Sequence, residues 1–318
     1  MRVKSEERRT MQAMSRLIVL LGVVGVSLSA VLVRLSTAPS MVLVLYRVVW
    51  AVLLLTPYVL LRCREELKRL RRRELLLCLG SGVFLGLHFS SYFEALRLTS
   101  IAVTTVLVNT EVIFVSLGTI LFLKGRLSGR AWTAVGIAFA GSVIVAMADL
   151  SGGGSLLGNL LALAGAMLCA AYTLVGTVCR RGGISTTVYT YFVYLSAAGT
   201  VLVLSLATGL RLTGYGPMNL LTALGMAVFC TLLGHSVFSW GLKYLPASFV
   251  STAKLLEPVF ASVWGLLLFR ERPAPLVIVG GTVVILGVAL YGGAAGREEQ
   301  PLPEPEAAIQ RKMKEEDA

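Results

Sequence analysis

Charged residues are scarce in this 318-residue chain: Asp, Glu, Lys and Arg make up 14% of it, where soluble domains carry about 25%. Between its ends the sequence has no polar stretch long enough for a soluble domain. Histidine occurs only twice, and the five cysteines (Cys63, Cys78, Cys169, Cys179, Cys230) fall in no CxxC or Cys/His spacing. That pattern supports neither a metal site nor a disulfide framework, so free thiols and no cofactor are expected. Acids are outnumbered by bases, 17 to 29, for a net charge of +12. A basic chain raises the question of nucleic acid, but these bases cluster in short stretches between apolar runs rather than along one polar face, and no nucleic-acid partner is expected. What the chain has in abundance is apolar surface, 56% of residues with a mean hydropathy of +0.80. It reads as a membrane protein, with lipid as its solvent.

Breaking the apolar runs at Gly, Pro and charge clusters gives ten segments of spanning length, at about 17–35, 40–61, 75–95, 100–122, 131–148, 156–179, 186–207, 218–243, 247–269 and 275–292. The first could pass for a signal peptide with SLSA as its cleavage site, but the repeat described below needs it as a helix. With a cytoplasmic N-terminus, the bases fall overwhelmingly in connections on that side: the N-terminal segment 1–16, the run LRCREELKRLRRRE after the second span, and the loops at Lys124–Arg130 and Arg180–Arg181. The opposite connections hold only Arg34, Arg97, Arg211, Arg270 and Arg272. Both termini are therefore expected in the cytoplasm, as in a multi-pass protein of the plasma (inner) membrane. The tail from 293 to 318 is charged and without apolar periodicity, which predicts disorder.

Sliding the chain by 146 residues places TVLVNTEVIFVSLGTILFLKGR (105–126) on STAKLLEPVFASVWGLLLFRER (251–272) without a gap, Glu111 on Glu257, Phe114 on Phe260 and Arg126 on Arg272. The register extends from Leu96 on Leu242 to Gly141 on Gly287. The expected architecture is all-α and polytopic: ten transmembrane helices as two repeats, 17–148 and 156–292. Five helices per repeat is an odd number, so the second copy enters from the opposite side and the halves are inverted. Inverted repeats point to alternating access around a site near the midplane.

In this layout, the pattern SxxxLLEPVFA followed by GGxxxxxGV resembles the EamA family of the drug/metabolite transporter superfamily. The resemblance implies a secondary transporter, not an enzyme, that exports a small metabolite such as an amino acid or amine, with protons as a coupling ion. It matches Glu257-Pro258 to the family's EP pair and Glu271 to the acid closing that span. The first half departs from the pattern, with Val112 where a proline is often found and Gly125 where the acid is expected. A nucleotide-sugar or sugar-phosphate carrier of the same superfamily is the nearest alternative, and an integral membrane enzyme acting on lipid is a more distant one.

Four formal charges fall inside spans: Arg47, Glu111, Lys254 and Glu257. Each costs about 2.5–3.5 kcal/mol at a helix centre, so a partner or a function is required. Lys254 and Glu257, three residues apart, are expected to pair along one helix face, and Arg47 can reach Glu111 if their helices touch. Pro258 should kink its helix by leaving the Lys254 carbonyl without an N–H. His88 and His235, one step out of the 146 register, are either proton carriers or packed side chains. Tyr191 and Trp240 could line a cavity for the solute or sit at the interface.

Overall fold

The computed structural model describes residues 2–99, 101–147, 155–270 and 272–294. Glu271 and the tail beyond 294 lie outside the described residues. Among the described residues regular structure is all helical. Ten apolar helices follow one another: α1 (Arg2–Ser27 and Ser29–Arg34), α2 (Ser40–Arg62), α3 (Arg72–Leu98), α4 (Ile101–Asn109 and Glu111–Phe122) and α5 (Gly129–Met147) form the first half. The second half comprises α6 (Leu156–Arg181), α7 (Thr186–Ala207), α8 (Pro217–Gly225, a π-helical stretch Met226–His235, and Ser236–Gly241), α9 (Ala247–Lys254 and Glu257–Phe269) and α10 (Pro275–Ala294). Eight are long and apolar enough to cross a membrane, while α5 and α10 carry shorter apolar runs, Gly129–Val145 and Pro275–Tyr291. The basic segment at the N-terminus is helical from Arg2 and continuous with α1, so it is not a separate element. Large apolar side chains such as Leu61, Leu121, Val203 and Leu267 are exposed, the surface expected of a bundle facing hydrocarbon.

The packing obeys the repeat. Exchanging each helix for its counterpart five places on maps the contact of α3 with α6 onto that of α1 with α8. It likewise maps α3–α7 onto α2–α8, and α4–α5 onto α9–α10. Contacts between α2 and α7, α4 and α9, and α5 and α10 map onto themselves. At α5 and α10 the backbones touch: a Cβ on Gly141 would lie 2.6 Å from Val284 N, one on Gly280 would lie 2.6 Å from Val145 N, and Gly287 abuts Ala138. Glycine permits that approach because it has no Cβ. Numbers rise along α5 as they fall along α10, so the helix and its own copy run antiparallel, and the halves are inverted. Lys124 and Arg270, 146 apart, close α4 and α9 with the same left-handed backbone, at φ 54° and 57°.

Hydrophobic packing cuts across the halves. One core cluster joins residues of α1, α4 and α5 to those of α9 and α10, and a second joins α2 and α3 to α6 and α7. Neither half encloses a core by itself. Beyond α2, the run LRCREELKRLRRRE includes the short helix Arg64–Arg69, whose basic residues stay exposed while Cys63, Leu67 and Leu70 pack, partly buried, against the second core cluster. Glu66 Oε1 there accepts a 2.6 Å bond from Ser185 N at the start of α7, tying two connections on the same side of the bundle.

Candidate functional site

Both α4 and α9 break in mid-course, and at the same register. The first resumes at Glu111 after Thr110, the second at Glu257 after Leu255 and Leu256. At each break a backbone N–H reaches back three residues rather than four: Thr110 N to Leu107 O at 3.2 Å, and its counterpart Leu256 N to Ala253 O at 3.1 Å. Pro258 accounts for the break in α9, since it offers no N–H to the Lys254 carbonyl. In α4 the corresponding residue is Val112, yet the helix breaks anyway. There the Thr110 hydroxyl donates to Leu107 O at 2.5 Å, competing for a carbonyl of the helix ladder.

The charge pairing differs from the one that helical spacing suggests. Lys254 Nζ lies 2.8 Å from Glu111 Oε1, across the contact of α9 with α4. The expected pair of Lys254 with Glu257 is not formed, nor is the pair of Arg47 with Glu111 that depended on their helices touching. The ammonium is instead taken up by Glu111 across the helix contact, while Glu257 stays within its electrostatic reach. Thr173 Oγ1 on α6 donates 3.2 Å to the same Glu111 oxygen, and the ammonium also stands 5.6 Å from the Phe238 ring centroid. Glu257 has no hydrogen bond or ion pair among the described residues, although Lys254, Arg47 and Glu111 are all within electrostatic reach of it.

Arg47 instead turns toward α8. Its Nε donates 2.6 Å to Thr231 Oγ1 within the π-helical stretch, and its guanidinium lies 4.9 Å from the centroid of the Phe89 ring. His235 meets the same Phe89 edge-on at 5.5 Å. Wide π turns recur at functional positions, and this one places Thr231 and His235 beside Arg47. The two histidines differ in environment. His88 is a packed histidine, its Nδ1 2.9 Å from Gly165 O and its ring stacked on Tyr92. His235 is buried, and its Nδ1 finds no partner among the described residues.

Arg47, Glu111, Lys254, Glu257, His88 and His235 thus share one neighbourhood, spread over α2, α3, α4, α8 and α9. Tyr191 and Trp240 stand apart from it. Tyr191 contacts Thr56 of α2 at 3.5 Å, and Trp240 packs on Tyr244 with centroids 4.8 Å apart. Sequence reasoning passed over Thr173, Thr231, Phe89 and Phe238, whose types are ordinary in apolar helices. Only the 146-residue repeat could have hinted at their neighbourhood. A separate groove of about 270 Å³ lies between the far ends of α1 and α9, lined by residues that include Arg34, Phe269 and Arg272.

The profile of the EamA-like transporter family matches residues 14–147 and 156–293, one copy over each set of five helices. The chain belongs to this family. Among curated proteins it is similar to an "Uncharacterized transporter" of Archaeoglobus fulgidus, 24% identical over 66% of this chain and 72% of that one. It is also similar to the "Uncharacterized transporter YwfM" of Bacillus subtilis, 27% identical over 65% of this chain and 70% of the relative. A solved crystal structure shares the fold with a TM-score of 0.75, at 16% identity, covering 90% of this chain and 98% of the other. As an EamA-like protein, the chain is a multi-pass membrane protein of a transporter family, and the charged neighbourhood lies where its two repeats meet.

Proposed function

We propose that the protein is a secondary transporter that spans the inner membrane with all ten helices, keeps both termini in the cytoplasm and exports a small solute, such as an amino acid or amine, by alternating access. One observation supports this above the rest: two counterpart helices are interrupted at counterpart glutamates, and only one glutamate is neutralised. Interrupted helices that meet at a repeat interface are where transporters of this kind bind cargo and coupling ions. Glu111 is held by Lys254 and joins the halves. Glu257 is free to take the cationic group of the cargo or a proton. A phosphate-bearing cargo is less well served, because Lys254 is already engaged and Arg47 alone offers little for a dianion.

The test is counterflow in proteoliposomes against amino acids, amines and sugars, with and without a pH gradient, for wild type and Glu257→Gln. The variant should fold as wild type does and lose most of the flux or its response to the gradient. Undiminished, gradient-sensitive flux in Glu257→Gln refutes the reading.

A further inference from the structure

Within the same neighbourhood, Arg47 and His235 make up a second pole that the pairing of Lys254 with Glu111 does not use. Arg47 is 3% exposed and His235 7%. Arg47 spends its Nε on Thr231 Oγ1, while its Nη2, buried, has no acceptor among the described residues, and neither has His235 Nδ1. Buried polar atoms without partners are rare because each forfeits its hydration without return, and His235 Nδ1 is a donor in its Nδ1–H tautomer. Two on side chains that flank one aromatic ring, Phe89, call for a shared ligand.

We infer that Arg47 and His235 form a subsite for a carboxylate group of the cargo, at the opposite pole from Glu257. This deepens the transport reading and rests on it for the word cargo. The charge count selects a carboxylate. Arg47, Lys254, Glu111 and Glu257 sum to zero, and a net charge away from water is costly, so the neighbourhood best accepts a ligand that is itself neutral overall. A zwitterion satisfies this, with its anionic end on the Arg47 Nη2 edge and the His235 Nδ1–H, and its cationic end on Glu257. A phosphate would bring excess negative charge to a guanidinium with one edge already taken. A carboxylate needs two donors in one region, and two stand vacant. The Phe89 face, with the guanidinium over it, gives the pole a rigid floor.

The test needs no knowledge of the cargo. Full-length protein purified in detergent is melted in chloride, acetate, isovalerate and benzoate at matched ionic strength, as wild type, Arg47→Met, His235→Leu and Glu257→Gln. At least one carboxylate should raise the wild-type midpoint by roughly 2 °C or more over chloride. Arg47→Met should abolish the rise, His235→Leu should at least halve it, and Glu257→Gln should keep it. The subsite is refuted if no carboxylate differs from chloride in either wild type or Glu257→Gln, where the lost acid leaves a lone carboxylate balanced, or if the rise survives Arg47→Met. Should Arg47→Met fail to fold, a full rise in His235→Leu refutes it instead. Carboxylate binding with no counterflow of any solute would sink the transport reading and leave the subsite standing.

Discussion

Removing the charge of Glu111 should unsettle the bundle more than removing that of Glu257, although the two occupy equivalent places in the repeat. Lys254 Nζ sits 2.8 Å from Glu111 Oε1, with the two side chains only 13% and 10% exposed. Breaking a buried pair by deleting one partner costs about 3–5 kcal/mol, because the other charge is stranded. Glu257 remains within electrostatic reach of the ammonium, so about 2–3 kcal/mol is expected for Glu111→Gln. In a chain of this size that lowers the melting midpoint by about 3–5 °C. Lys254→Met strands Glu111 and should cost a similar amount. The double variant removes both charges and should return to within about 1 kcal/mol of wild type. Thermal melts of the four proteins in detergent then give a coupling energy of about 2 kcal/mol or more. The same cycle run on Lys254 and Glu257 should give less than about 1 kcal/mol. If the single costs at Glu111 and Lys254 simply add to within about 0.5 kcal/mol, or if the larger coupling belongs to Glu257, the pairing seen across α4 and α9 does not hold the protein together.

Three further outcomes can be checked independently. Gly141→Ala or Gly280→Ala should destabilise the bundle by about 1–3 kcal/mol, since the added Cβ would meet backbone at 2.6 Å. Gly136→Ala, with nothing within 4 Å of its Cβ, should be silent in the same melts. Cys63 is the one half-buried thiol beside four buried ones, and an impermeant maleimide should label it in inside-out vesicles but not in intact cells. Because burial and the Glu66 carboxylate push that thiol above its ordinary value, labelling should quicken as the buffer is made more alkaline. Thr110→Val, which removes the hydroxyl bonded to Leu107 O, should straighten α4 and lower flux without unfolding the protein. Unchanged flux would mean that the break in α4 has another cause.

The helices, their order and the duplication were legible in the sequence, because each depends on local composition or on a register that one sliding comparison exposes. Apolar runs end at Gly, Pro and charge, and the observed helices begin and end within a few residues of those marks, apart from α1, whose helix already starts at Arg2. The inversion followed from counting, since five helices per copy is odd, and the antiparallel contact of α5 with α10 bears it out. Glu111, Glu257, Lys254 and Arg47 announced themselves because charge is so expensive in an apolar helix.

Which charge meets which was decided by tertiary structure alone. Helical spacing favoured Lys254 with Glu257, but the approach of α4 to α9 delivers Glu111 to the ammonium instead. The break in α4 had no proline to signal it. Arg47 and His235 are far apart in the chain and come together only because α2 packs against the π-helical stretch of α8. Periodicity reports which face of a helix is apolar, but a contact between two faces depends on how the helices pack, and no single helix encodes that.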